Sequence, residues 1–307
     1  MMKLAIVFPG QGSQSLGMMQ GFGDLPIVER TFLEASAILG EDFWKMVTEG
    51  PAEALNRTVN TQPVMLIAGT ACWRAWREKG GPMPDFFAGH SLGEYTALVA
   101  SGAMSFEDAL PLVRFRAQAM QEAVPEGTGG IAAILGLDEN AVRAVCAEAA
   151  QGEVLEPANL NSPGQIVIAG HRSAVERGLE AAKAKGARRA VMLPMSAPSH
   201  CSLMRPAAER LRERLERTVL HAPSVPVVQN RDVAAFDDPQ RVRQALVEQL
   251  CDPVRWIETV EYLVAHGVNR LVECAPGKVL TGLSKRIADG AQSVAIQDSA
   301  ALIAVLA

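Results

Sequence analysis

Gly89-His90-Ser91-Leu92-Gly93 sets a serine between two glycines, directly after the apolar Asp85–Ala88 and directly before a helical pattern. No other feature restricts the fold as much, because this G-x-S-x-G spacing asks a strand to become a helix within a few residues. Glycines two before and two after the serine remove the Cβ atoms that would collide in so sharp a turn. Ser91 is left exposed at the tip, among the unpaired N–H groups of a helix start, which stabilise a developing oxyanion. Acyl transfer or acyl hydrolysis is the chemistry such a turn suits.

The chain has 307 residues, 49% of them hydrophobic and only 5% aromatic. That is enough for a large α/β core, and the wealth of Ala, Val, Leu and Gly suits helices packed closely on a sheet. A net charge of −5 argues against a general nucleic-acid binder. Cys72, Cys146, Cys201, Cys251 and Cys274 are scattered, odd in number and without a C-x-x-C pair, which suggests neither a disulfide framework nor a zinc site and fits a reducing cytoplasm. The apolar run Met1–Phe8 is broken by Pro9-Gly10, too early for a signal-peptide core, and reads as a first buried strand over Leu4–Phe8. No apolar stretch approaches the roughly 20 residues that span a bilayer, so no membrane insertion is expected.

Strand-like and helical runs alternate along the chain: strand Leu4–Phe8, helix Val64–Arg77, strand Asp85–Ala88, helix Leu92–Ser101 and helix Phe106–Glu122. Pro125-Glu126-Gly127-Thr128-Gly129-Gly130 then marks a boundary. Beyond it the order is strand (Ile131–Leu137), helix (Glu139–Ala150), strand (Val154–Asn159), strand (Gln165–Ala169), helix (Ser173–Lys185), strand (Arg189–Leu193). This βαββαβ order is the ferredoxin-like motif, with Asn161-Ser162-Pro163-Gly164 as the turn of its central hairpin. The α/β pattern resumes after Pro198 with helix Leu203–Arg217, strand Val225–Val228, helices Gln240–Leu250 and Ile257–Ala265, strand Arg270–Cys274 and a helix starting near Gly277. The expected fold is therefore α/β: a large hydrolase-like subdomain with a parallel sheet core (1–126 and 198–307) carrying an inserted ferredoxin-like subdomain (127–197).

A serine hydroxyl needs a base to accept its proton. His200 stands in the proline-flanked loop Pro194–Cys201, just where the small unit returns to the large one, a place where active-site residues are often displayed. His266, at a helix end before Gly267, suits the helix dipole, and His171 and His221 read as surface or capping residues. His90 adjoins Ser91, but neighbours on an elbow need not face each other, so it is assigned to the pocket wall. An α/β-hydrolase orders its triad as serine, acid, then a histidine near the C-terminus. Here a third of the chain follows His200 and no acid stands out as its orienter; a backbone carbonyl would serve, leaving a Ser–His dyad.

Phe8-Pro9-Gly10-Gln11-Gly12-Ser13-Gln14 follows the first strand with glycines on both sides of Gln11. Those glycines fit a tight structural turn and equally one half of an oxyanion hole, the other half being the N–H of Leu92. Arg116 lies on an apolar-patterned helix. Its planar fork suits a free carboxylate on an acyl group, while an internal salt bridge or a solvated face would explain it as well.

Taken together, Phe8–Gln14, Gly89–Tyr95, Arg116 followed by Met120–Pro125, Asn161–Gly170, Pro198-Ser199-His200, and Pro253–Trp256 through Pro276–Leu280 closely resemble the malonyl-CoA:acyl carrier protein transacylases of bacterial fatty acid synthesis, over essentially the whole chain. The resemblance implies that Ser91 is the nucleophile and His200 the base. It further implies that the N–H groups of Gln11 and Leu92 form the oxyanion hole, that Arg116 pairs with the malonyl carboxylate, and that the backbone carbonyl of Gln249 orients the histidine. Gln229-Asn230-Arg231-Asp232 departs from the doubled asparagine of the family, which leaves the part played by the Gln229 side chain open.

The activity implied is ping-pong transfer of malonyl from malonyl-CoA to the phosphopantetheine thiol of an acyl carrier protein. It needs no metal or redox cofactor and no nucleic-acid or membrane partner. Acidic carrier proteins require a local basic patch. Lys183, Lys185, Arg188 and Arg189 are the densest cluster, with Lys278, Lys285, Arg286 and Arg205 as competitors and a merely solvated face as the alternative. A serine thioesterase or esterase shares the elbow and dyad but delivers the acyl group to water. A transacylase serving a polyketide or malonate decarboxylase system is a nearer relative, and a non-catalytic scaffold for carrier proteins is the reading from another class.

Overall fold

A computed structural model describes residues 3–195 and 197–307. Met1 and Met2 of the N-terminal apolar run and Ser196 of the His200 loop lie outside the described residues. The strands are β1 (Lys3–Phe8), β2 (Phe86–Gly89), β3 (Gly129–Leu135), β4 (Leu155–Ser162), β5 (Gln165–His171), β6 (Arg189–Met192), β7 (Val227–Gln229), β8 (Ala234–Ala235), β9 (Val268–Cys274) and β10 (Gln292–Ile296). The helices are α1 (Pro26–Leu39), α2 (Phe43–Thr48), α3 (Ala52–Asn56), α4 (Thr58–Glu78), α5 (Gly93–Ala100), α6 (Phe106–Glu122), α7 (Glu139–Ala150), α8 (Arg172–Ala184), α9 (Arg205–Glu216), α10 (Pro239–Glu248), α11 (Trp256–Ala265), α12 (Val279–Ile287) and α13 (Ser299–Leu306).

Two sheets organise the chain, as the alternation of patterns predicts. The larger has the order β10-β9-β1-β2-β7-β8, parallel except for the short edge strand β8. Its central strand β1 is buried from Leu4 to Phe8, the unbroken apolar run expected of a strand covered on both faces. The register Phe8↔Gly89 brings the C-terminal ends of β1 and β2 side by side. The Gln11 loop and the Ser91 turn therefore leave the sheet at one edge, where open parallel sheets gather their ligands.

The smaller sheet has the antiparallel order β4-β5-β3-β6, the ferredoxin-like arrangement read from the pattern. Ala132, Ile134, Ile166 and Ile168 pack against Val142, Val145 and Val175 of α7 and α8. Its other face sets Ile131, Ala158 and Val167 towards Cys201, beside His200. Strand β4 also bridges to the large unit: Val254 N–H donates to the Ala158 carbonyl and Leu160 N–H to the Val254 carbonyl, each at 2.9 Å.

Several boundaries differ from the sequence reading. The helix expected from Val64 begins at Thr58 and carries Pro63 inside it. Proline at a pattern's edge reads as a helix start, but here the preceding turn is buried at Thr58, Asn60, Thr61 and Gln62 and packing outweighs the lost hydrogen bond. The hairpin turn is shorter than expected: Asn161 and Ser162 belong to β4, and Gly164 takes a left-handed φ of 70°. Strand β3 starts two residues early and ends at Leu135, since Gly136 turns with φ 96°. Helices α1 to α3 and α13 and strand β10 were not read from the pattern.

The elbow admits no extra carbon. A Cβ at Gly89 would stand 1.9 Å from the carbonyl carbon of Gly93, and one at Gly93 would stand 2.0 Å from the Phe8 oxygen. Both clashes are with backbone, which must move. Gly89→Ala is therefore expected to cost at least the roughly 1–3 kcal/mol typical of overpacking, read as a lower urea midpoint at unchanged slope.

Candidate active site

Ser91 sits between β2 and α5 with φ 51°, a left-handed conformation in a residue other than glycine. Its Oγ lies 2.8 Å from Nε2 of His200. His200 is itself left-handed, with φ 63°, and is pinned by its own N–H, which donates to the Leu250 carbonyl at 3.0 Å. Its Nδ1 meets the backbone carbonyl of Gln249 at 2.8 Å. A carbonyl only accepts, so Nδ1 carries the proton and Nε2 presents its lone pair to the serine hydroxyl. Burial, and then the positive charge of Arg116, hold the imidazole down at about pKa 3, so it is neutral at physiological pH.

The Gln11 loop lies directly against the elbow: a Cβ at Gly10 would stand 2.5 Å from the His90 oxygen and 3.6 Å from the Leu92 nitrogen. Among the described residues the N–H groups of Gln11 and Leu92 make no hydrogen bond. Both residues line a cavity of about 450 Å³ together with Ser91, Arg116 and His200. The geometry is that of two backbone donors left free beside a serine hydroxyl.

Arg116 reaches the same place from α6, whose start is capped by Ser105 accepting from Asp108 N–H at 3.0 Å. It is 1% exposed. One Nη donates to Gln62 Oε1 at 2.7 Å, and the other to Gln249 Oε1 at 2.9 Å and to Ser91 Oγ at 3.3 Å. The guanidinium also lies 5.4 Å from the centre of the Tyr95 ring. Burial pushes its pKa down, but a guanidinium stays charged. Among the described residues it forms no salt bridge. The internal ion pair open at the sequence level is therefore not made, and neither is the solvated face.

The N-terminal half of the site thus meets the C-terminal half through Gln249, just past α10. Its side chain receives Arg116 and donates from Nε2 to the Ser91 carbonyl at 3.1 Å, while its backbone carbonyl receives His200. The chain belongs to the malonyl CoA-acyl carrier protein transacylase family. The acyl transferase domain family matches residues 5–305. A malonyl CoA-acyl carrier protein transacylase of Salmonella typhimurium is 54% identical over 307 residues, covering 100% of this chain and 99% of the relative. The crystal structure of an acyl-carrier-protein S-malonyltransferase from Burkholderia pseudomallei is 55% identical, with a TM-score of 0.98 and 99% of each chain covered. A malonyl-transacylase solved in complex with its type II polyketide acyl-carrier protein is 52% identical at TM-score 0.98, again over 99% of each chain.

Among the other residues read from sequence, His90 is a wall of the cavity, its Nε2 2.8 Å from Asn161 Oδ1 and its ring 5.6 Å from that of Trp256. His266 stacks on Tyr262 at 4.0 Å and bonds that residue's carbonyl, away from the cavity. Lys183 and Lys185 pair with Glu180 and Glu148 at 2.7 and 2.9 Å. Arg286 reaches Gln165, which lines the cavity, at 2.6 Å. Among the described residues the Gln229 side chain bonds only the Val227 carbonyl of its own strand, at 3.2 Å.

Its neighbour Asn230 is the residue that reaches the elbow, and sequence reading missed it. Gln62 and Glu94 were missed as well. Each is a polar residue buried in an apolar setting, which is a signal, but nothing local says what it faces. No helix among the described residues is long and apolar enough to cross a membrane.

A depressed pKa contributes stability that is present above the ordinary value of 6.5 and is lost as pH falls towards 3. Imidazole ¹⁵N shifts of His200 should therefore show one neutral tautomer, protonated at Nδ1, from pH 8 to about 4.5. An imidazolium signal growing in near pH 6.5 would contradict this environment.

Proposed function

We propose that this chain transfers the malonyl group of malonyl-CoA to the phosphopantetheine thiol of an acyl carrier protein in the cytoplasm, supplying units for fatty acid synthesis, with Ser91 as the carrier of the acyl group. Ser91 Oγ attacks the thioester carbonyl as its proton passes to His200 Nε2. The oxyanion rests on the N–H groups of Gln11 and Leu92, each donor of this kind being worth about 3 kcal/mol in comparable sites. Breakage of the C–S bond releases CoA, which leaves with the proton from His200. The carrier thiol then gives its proton to His200 and attacks the malonyl ester, and Ser91 recovers a proton as its C–O bond breaks. In this reading residues 127–197 form an inserted subdomain that closes one side of the site.

The single observation that carries the malonyl assignment is Arg116: a buried guanidinium, held by two amide oxygens and no carboxylate, 3.3 Å from the nucleophile. Burying a charge without a counter-charge is expensive, and a substrate carboxylate two carbons from the reacting carbonyl supplies the missing partner. The same pairing acts on the base. After burial, Arg116 is the largest influence depressing His200, so neutralising it raises the affinity of His200 for the serine proton just when substrate is bound. One neighbour at 52% identity works with a polyketide carrier, which favours such a carrier as the second reading for the acceptor.

Arg116→Ala is expected to lower kcat/KM for malonyl-CoA about 10²-fold while sparing acetyl-CoA, consistent with loss of a charge-assisted pair. Equal losses for both substrates would sink the carboxylate-reading role. In intact-protein mass spectrometry, brief mixing with malonyl-CoA should give a malonyl adduct that is absent in Ser91→Ala and that moves to added holo carrier protein. Free malonate without an adduct would identify a thioesterase instead.

A further inference from the structure

Glu94 is a carboxylic acid with no exposed surface, one helical turn behind the nucleophile, and the chemistry above does not use it. Its Oε2 accepts the backbone N–H of Asn230 at 2.7 Å. Asn230, also fully buried at the end of β7, brackets the strained turn from both sides. Its Oδ1 receives the Ser91 N–H at 2.6 Å and its Nδ2 donates to the Gly89 carbonyl at 2.5 Å. Occupying the Ser91 N–H leaves Leu92 as the elbow's free donor and sets the plane of the peptide between His90 and Ser91.

We propose that Glu94 is a positioning residue for the elbow: by accepting the Asn230 N–H it fixes the asparagine that holds Ser91 in its left-handed conformation and aims the Leu92 N–H. The inference rests on reading Ser91 as the nucleophile. Burial pushes the Glu94 carboxyl up to about 8, against the opposing pull of the Asn230 N–H and of Arg116, so the neutral acid is the form present at neutral pH. Neutral acid and amide have the same shape and both offer an acceptor oxygen, which makes glutamine the conservative replacement. A left-handed non-glycine residue is strained and persists only when its surroundings over-determine it.

The test is rapid-quench measurement of malonyl adduct formation on Ser91 in the wild-type chain, Glu94→Ala, Glu94→Gln, Asn230→Ala and the double alanine variant, with folding checked by circular dichroism. Glu94→Ala should acylate about 10²-fold more slowly per folded molecule, the scale expected of a misplaced reacting group, with KM for malonyl-CoA changed by no more than about threefold. Glu94→Gln should recover most of that loss. The double variant should be no slower than Asn230→Ala alone, since both residues act through one contact.

Wild-type rates in Glu94→Ala, losses that multiply in the double variant, or a Glu94→Gln as slow as Glu94→Ala would each overturn the proposal. If Glu94→Ala does not fold, a wild-type acylation rate in Asn230→Ala overturns it equally. A wild-type chain that forms no adduct at all would overturn the nucleophile assignment itself, which is a distinguishable result.

Discussion

The left-handed turn at Ser91 is the constraint on which the rest of the arrangement depends. It is possible only because the Gly93 backbone lies where a Cβ of Gly89 would be and the end of β1 at Phe8 lies where a Cβ of Gly93 would be. That contact requires β1 and β2 to end in register, and the register places the Gln11 loop beside Ser91. The strain of the turn is offset by hydrogen bonds from outside it: Asn230 on the Ser91 N–H and the Gly89 carbonyl, and Gln249 on the Ser91 carbonyl. Three hydrogen bonds from two residues thus hold the turn, and backbone donors fixed in advance are the kind that need no reorganisation when charge develops beside them.

Electrostatics in the site follows from burial. Arg116 keeps its charge without a carboxylate because Gln62 and Gln249 turn carbonyl oxygens towards it and Tyr95 offers its ring. Burial, and then the Arg116 cation, keep His200 neutral, and Glu94 stays protonated in the same dry surroundings. The resting site therefore carries one uncompensated positive charge, opposite in sign to an acyl group that ends in a carboxylate. Gln249 ties these parts together, because one residue contacts Arg116, the Ser91 backbone and His200.

The small sheet takes part in this arrangement as well as covering it. Ile131, Asn159, Asn161 and Val167 line the same cavity as the elbow. Glu156 of β4 accepts both the N–H and the hydroxyl of Ser202 at 2.8 Å, two residues beyond His200. Leu250 holds His200 from the other side. His200 thus stands on a segment held from both sides, which is how a loop residue with φ 63° is placed 2.8 Å from Ser91.

The sequence by itself determined the local pieces: the elbow from its glycine spacing, the buried first strand, the ferredoxin-like order of elements, and His200 as a histidine shown off by prolines. Each depends on residues within a few positions of one another, where sterics and periodicity act directly. What only the tertiary structure decided are relations across the chain. Pro63 lies within a helix, so Gln62 reaches Arg116; Asn230 rather than Gln229 faces the elbow; Glu94 is held by a residue 136 positions away. No local pattern encodes these pairings, since a buried polar side chain announces only that it needs a partner. Which partner it finds is set by strand register and helix packing, and those are fixed by burial summed over the whole core.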